Sequence, residues 1–341
     1  MSVRISYIVP VYNGEKYLAQ CLDSLYGQGI DENEFEVICV DDCSSDNSIS
    51  IIQSYQEKHA NLVLLRHEIN RKAGGARNTG MKNATGDYLW FVDSDDYIVD
   101  NAAKTIINEC YTNQLDVLCF NFYIKVGDSE EVDCGFKVSS QMDDGISFLI
   151  NQFGNCIVQN LGYPWRAVYK RQIIVDNTIG FLENCLYGEE TTFMAEAVIA
   201  SGKVKCIPDA LYCYRQNEQS ASSQLSQQMR GDLIFQSIIV AGNMVLDLQH
   251  QVKSQSNVLS NNIVSGLPWF VNRLFLRMVR TSSIERGRFY GELKKMGKKE
   301  LLPILQYMDY KNKFIIEAPH VGKMVLGIVS FLYKVKKSVL G

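Results

Sequence analysis

The chain has 341 residues, 46% of them hydrophobic and 21% charged, which suffices for one large domain or two of moderate size and excludes a disordered or fibrous chain. Its formal net charge of −4 conceals a split: residues 1–269 carry 19 Lys+Arg against 33 Asp+Glu, and residues 270–341 carry 15 against 5. The basic end suits either an anionic surface such as a membrane or an intramolecular match with the acidic body, and the acidic body argues against nucleic acid.

Ile5–Val9 is a compact apolar run stopped by Pro10 and predicts a buried strand. Glu15–Tyr26 sets Leu18, Cys21, Leu22 and Leu25 on one helix face, with Asn13 available as its cap. Phe35–Val40 predicts a second strand, and Ser44, Ser45 and Asp46 offer caps for a helix reaching about Tyr55. Leu62–Leu65 is a third strand, a Gly-rich loop at Gly74–Gly75 opens the next helix, and Tyr88–Val92 is a fourth strand. This alternation argues for a parallel sheet with helices on both faces, in which ligands bind at the carboxyl ends of the strands. Asn13 follows strand one, Asp41 and Asp42 follow strand two, and Asp93 to Asp96 follow strand four.

Beyond Leu115 the pattern is mixed, with a strand at Val117–Tyr123 and a helix near Gly145–Phe153. The Ser/Gln-rich stretch Ser220–Gln228 separates the α/β part from a tail of helical character. In that tail Trp269, Phe270, Phe275 and Leu276 interleave with Arg273, Arg277 and Arg280, as in a basic amphipathic helix. The ten cysteines include no CxxC pair and predict reduced, buried thiols in a cytoplasmic protein. No leader is expected, since the N-terminus runs straight into a strand. No segment reaches the roughly 20 apolar residues of a membrane-spanning helix.

Four stretches carry chemistry. Asp93-Ser94-Asp95-Asp96 sets three carboxylates within four residues, an arrangement that a hard divalent cation with a diphosphate on its far side would neutralise. A solvated capping loop is the plainer alternative. Asp41 and Asp42 can accept from a ribose hydroxyl or a base N–H, or serve as caps. The small residues of Ala73–Gly80 allow close ligand approach, and Arg77 within them can pair with a carboxylate or phosphate. Glu189 and Glu190 precede a helix and suit either a general base or a favourable first turn.

In this order and spacing, Val9-Pro10-Val11-Tyr12-Asn13, Val40–Asp46, Gly75–Gly80, Phe91–Asp96, Gly188-Glu189-Glu190 and Leu211–Arg215 with Ser220 and Ser222 resemble the family 2 inverting glycosyltransferases. The resemblance spans about residues 3–222. It implies a GT-A fold, which is Rossmann-like with a mostly parallel sheet and flanking helices, followed by a helical C-terminal region. The implied domains are 1–222, with a nucleotide-binding half to about 100 and an acceptor-side half beyond it, and 223–341, basic from about 270. It further implies that Tyr12 and Asp42 recognise the base of a nucleotide-sugar, most simply a UDP-sugar, in a pocket shaped by Pro10, Val11 and Asp41. Arg77 would contact the nucleotide or orient an acid, Asp93 and Ser94 would meet the ribose or sugar, and Asp95 would bind Mn2+ or Mg2+. Glu190 would be the catalytic base, with Glu189 as its rival, because the family's usual Glu-Asp is Glu-Glu here. Cys43 replaces the family's usual Gly. The Gln-x-x-Arg-Trp string of processive synthases is absent, so single-sugar transfer to a glycan or lipid-linked acceptor is expected, with peripheral membrane contact through the basic tail. An inactive nucleotide-sugar-binding module and a sugar-phosphate nucleotidyltransferase are the rival functions; Tyr12–Glu15 lacks the basic Gly-rich loop of the latter.

Overall fold

The computed structural model describes residues 3–127, 129–133, 139–145, 147–148, 163–181, 183 and 189–216. The chain divides into two units, 1–218 and 219–341, and every described residue lies in the first. The amphipathic tail, the Ser/Gln-rich stretch and most of the helix expected near Gly145–Phe153 therefore fall outside the described residues; Gly145, Ser147 and Phe148 are helical, with Asp144 Oδ1 accepting from the Ser147 N–H.

Among the described residues ten strands form one sheet. Strands β1 (Ile5–Val11), β2 (Phe35–Asp41), β3 (Leu62–Arg66) and β4 (Tyr88–Phe91) lie in the order β3-β2-β1-β4, all parallel. The alternation with helices α1 (Leu18–Tyr26), α2 (Ser48–Gln56) and α3 (Lys72–Asn83) dictates this, because a right-handed crossover returns each strand in the same direction. β1 and β4 are buried along nearly their whole length, as continuous apolar runs covered on both faces should be, whereas β3 at the sheet edge is largely open.

The remaining strands are β5 (Tyr97–Ile98), β6 (Val117–Val126), β7 (Ser129–Asp133), β8 (Ser139–Asp143), β9 (Ala167–Lys170) and β10 (Val204–Arg215). The parallel pattern stops at β4. β9 is antiparallel to both β4 and β6, and β10 runs parallel to β6, so the second half of the sheet is mixed. Helices α4 (Ala102–Asn113), α5 (Arg171–Asp176) and α6 (Glu189–Ile199) complete the described part.

Two local expectations are corrected. Asn13 does not cap α1; its backbone has φ 51 and its Oδ1 accepts from the Ser45 N–H at 2.8 Å, tying the β1 loop to the β2 loop. Gly74 and Gly75 lie inside α3 rather than in a loop before it, and the small residues serve packing. A Cβ on Gly80 would stand 2.4 Å from Ile8 Cγ2, so glycine lets α3 press directly onto β1. Asp46 lies one residue before the N-cap of α2, which is Asn47 and makes no side-chain cap bond, yet Asp46 Oδ1 accepts from the N–H and hydroxyl of Ser48, the first residue of the helix.

Candidate active site

The parallel strands deliver their last residues to one edge of the sheet. Val11 ends β1 buried beneath it, Pro10 pairs with Val40 of β2, and Tyr12 follows with 57% of its surface exposed, enough to present a ring face. The Asp42 N–H donates to the Val11 carbonyl at 2.8 Å and continues the β1–β2 ladder, while Asp41 accepts the Ser44 N–H at 3.3 Å. Both aspartates are buried. Asp42 Oδ1 accepts from His67 Nδ1 at 2.7 Å and from the Arg71 N–H at 2.8 Å, which leaves Oδ2 without a protein partner among the described residues.

Arg77 is the hub of the site. It projects from α3, is 2% exposed, and its guanidinium lies 5.3 Å from the Phe181 ring centroid. Nη2 donates to Asp93 Oδ1 at 2.8 Å and Nη1 to Glu190 Oε1 at 2.9 Å. Phe181 in turn stacks on Phe193 of α6 at 4.1 Å, and Asn78 holds the Phe181 backbone through two 2.8 Å bonds. This packing fixes α6 against α3. Phe193, Met194, Ala197 and Val198 form its buried face, and the acids occupy the first turn, where the helix dipole favours them.

The two glutamates differ. Burial pushes the Glu190 carboxyl up to about 7, with Arg77 pulling down and Glu189 and Asp93 adding repulsion; 32% of the side chain stays open to solvent. Glu189 is 6% exposed and its Oε2 has no hydrogen-bond partner; burial raises it too. Glu190 is therefore the acid that is both poised near neutrality and reachable.

In the Asp93–Asp96 string each carboxylate has its own surroundings. Asp93 meets Arg77, and its N–H donates to the Tyr212 hydroxyl at 3.0 Å. Asp96 is buried, accepts from the Tyr212 hydroxyl and the Arg215 N–H, both at 2.7 Å, and is raised well above the usual range by burial and by Asp95 and Asp93. Arg215 also donates from Nε to the Asp95 carbonyl. The string is thus stabilised in part by the protein itself, and the repulsion among three acids is a weaker argument for a cation than the sequence suggests. Ser94 sits over Gly14, where an added Cβ would meet its Oγ at 3.1 Å. Among the described residues no three His, Cys, Asp or Glu side chains come together to hold a metal ion.

Sequence reasoning brings Tyr12, Asp41, Asp42, Arg77, Asp93, Ser94, Asp95 and the glutamates to this edge and misses His67, which follows β3. The rule that placed Asp41, Asp42 and Asp93 to Asp96, polar residues after apolar strands, points to His67 as well. The seven described cysteines carry no disulfide, and six are buried. No helix among the described residues is long and apolar enough to cross a membrane.

Residues 6–133 match the family described as Glycosyl transferase family 2. Poly(ribitol-phosphate) beta-glucosyltransferase of Bacillus spizizenii is 33% identical over 213 residues, which are 62% of this chain and 32% of that protein. Glycosyltransferase GlyG of Streptococcus pneumoniae is 30% identical over 227 residues, 64% of this chain and 73% of that protein. The crystal structure of S. aureus TarS 1-349 in complex with UDP-GlcNAc has a TM-score of 0.71 at 23% identity, covering 98% of this chain and 92% of that one, a likeness of fold. The chain spans only about a third of the length of the Bacillus protein.

Proposed function

The chain belongs to glycosyltransferase family 2, and on that premise we propose that it transfers one sugar from a UDP-sugar to a hydroxyl of a glycan or lipid-linked acceptor in bacterial surface-polysaccharide synthesis, with inversion at the anomeric carbon. The observation that carries this reading is the convergence of Asp93 and Glu190, from distant parts of the chain, on the two arms of Arg77. A donor-side acid and a candidate base share one buried guanidinium, which sets their separation. The UDP-GlcNAc bound to TarS and the poly(ribitol-phosphate) in the name of the Bacillus relative support a UDP donor and a polymeric acceptor.

Tyr12 offers its ring to the base and Asp42 Oδ2 accepts a base N–H, with Pro10, Val11 and Asp41 as the floor. Asp93 and Ser94 meet the ribose or sugar. Asp95 would hold Mn2+ or Mg2+ beside the diphosphate, and as a single protein carboxylate it would leave most of the ion's coordination to the donor and water. Such an ion supplies positive charge to the leaving group. Glu190 takes the proton of the acceptor hydroxyl, whose oxygen forms the new bond to the anomeric carbon as the bond to the diphosphate oxygen breaks. A base whose pKa lies near 7 suits this transfer at neutral pH. Glu189, deeper and more enclosed, is the alternative base. Residues 270–341, with 15 Lys+Arg against 5 Asp+Glu, would hold the enzyme to an anionic membrane where a lipid-linked acceptor lies.

A screen of UDP-, GDP- and dTDP-sugars, read as nucleoside diphosphate release with Mn2+ or with chelator, tests the proposal. Release from a UDP-sugar that chelator abolishes is expected. Release from no donor would overturn the reading, release from another base would overturn the uridine assignment, and release in chelator would overturn the metal.

A further inference from the structure

We propose that His67 is a positioning residue that sets the base specificity of the donor site by locking the carboxylate of Asp42; the inference rests on the reading of Asp42 as the acid that meets the base. The His67 side chain is 7% exposed and that of Asp42 is 4% exposed. His67 Nδ1 lies 2.7 Å from Asp42 Oδ1, and Nε2 lies 2.8 Å from the Thr79 hydroxyl. A carboxylate can only accept, so Nδ1 carries the proton, and Nε2 is then free to accept from Thr79 on α3. The backbone of His67 is anchored as well. Its N–H donates to the Asp41 carbonyl at 2.9 Å, and its own carbonyl accepts the Cys43 thiol at 3.3 Å.

The Arg71 N–H is the second donor to the same Oδ1, at 2.8 Å. Two fixed donors on one oxygen restrain the carboxylate and leave Oδ2 as the atom available to a base N–H. The imidazole is the adjustable one of the two, because the other belongs to the main chain at the start of α3. Held in this way, Asp42 presents an acceptor and nothing else. It suits a base edge that carries an N–H, such as N3–H of uracil, and repels one that presents a lone pair at that place, such as N3 of cytosine. A site built to bond an N–H discriminates strongly against a ligand lacking it, because the buried acceptor is then left unpaired.

The test is calorimetric binding of UDP, CDP and N3-methyl-UDP to the full chain, with unfolding midpoints measured in parallel. Wild type should prefer UDP. His67→Ala should weaken UDP binding by about tenfold or more, the worth of a hydrogen bond to a charged group, and should shrink the UDP-to-CDP ratio in step. His67→Asn, whose amide N–H can reach the place of Nδ1, should recover most of both. Thr79→Val, which removes only the partner of Nε2, should fall between wild type and His67→Ala and covers the case in which His67→Ala does not fold. An unchanged UDP-to-CDP ratio in His67→Ala, or in Thr79→Val if His67→Ala is unfolded, overturns the proposal, as does a His67→Asn protein that is folded yet no better than His67→Ala. Wild type that binds none of the three nucleotides overturns the donor-site reading itself, and this inference with it.

Discussion

Replacing Arg77 with Met removes the cation on which Asp93 and Glu190 converge while keeping a side chain of comparable length in a slot that is 2% exposed. Breaking a buried ion pair by deleting one partner costs about 3–5 kcal/mol, because the other charge is left uncompensated. Here the partners keep 24% and 32% of their side-chain surface open, so water screens part of the loss and about 2–3 kcal/mol is expected. For a unit of this size that is a fall in unfolding midpoint of roughly 5–10 °C. The electrostatic consequence is separate. Arg77 holds the Glu190 carboxyl down against burial, and Glu190 already stands at about 7. Without the guanidinium it rises further, and less of it is ionised at neutral pH. The acidic limb of the pH–rate profile should therefore move to higher pH in Arg77→Met, whereas Arg77→Lys, which keeps the charge and loses the fork, should move it less. Differential scanning of unfolding and initial rates of nucleoside diphosphate release between about pH 5 and 9 read both effects. A folded Arg77→Met protein with wild-type midpoint and an unmoved acidic limb would refute the assignment of Arg77 as the hub.

Two further predictions concern pH and the backbone. The folded Glu190 carboxyl is raised from 4.5 to about 7, so its contribution to stability is fully present below about 4.5 and is lost as pH rises through about 7; Glu189 and Asp96 are raised by burial and share the sign. Glu190→Gln should then unfold at a higher temperature than wild type at pH 8 and at a similar one near pH 4.5; a wild type more stable than Glu190→Gln at pH 8 contradicts this. Cys43 sits at φ 70, in the left-handed region that costs a side chain energy, so Cys43→Gly should raise the unfolding midpoint by roughly 2–4 °C. Its nucleotide affinity, measured by calorimetry, should fall by less than that of His67→Ala, because only the thiol anchor of the His67 carbonyl is lost.

The half of the fold that holds the donor edge is legible in the sequence, because buried parallel strands read as uninterrupted apolar runs: Ile5–Val9, Phe35–Val40 and Tyr88–Val92 each lie within a strand or within one residue of it. What failed there was local. Asn13 fits a cap by residue type, but its loop bonds to Ser45 across the sheet edge instead, a contact between residues 32 apart. The glycines of α3 suggest an opening for a ligand, yet the space at Gly80 is filled by Ile8 and that at Gly75 by the Arg71 side chain, contacts that leave no trace in the local sequence. β9 has only four residues and no periodicity of its own, so its antiparallel insertion beside β4 could not be foreseen. The site residues were legible as types at strand ends. Their partners were not, because Arg77 meets Glu190 across 113 positions and Asp96 meets Tyr212 across 116. The charge argument also missed that Arg77, Tyr212 and Arg215 stabilise the acidic string from within the protein.

The central claim is that Glu190 removes the acceptor proton at a site where Asp42 and the Asp93–Asp95 loop hold the donor. The most direct measurement compares wild type, Glu190→Gln and Glu189→Gln for calorimetric UDP binding and for sugar transfer with the donor found active in the screen. The account predicts that all three bind UDP with similar affinity and that Glu190→Gln loses transfer by roughly 10²–10⁴-fold, the worth of a positioned general base. Full turnover in Glu190→Gln would contradict it, whether or not Glu189→Gln is impaired.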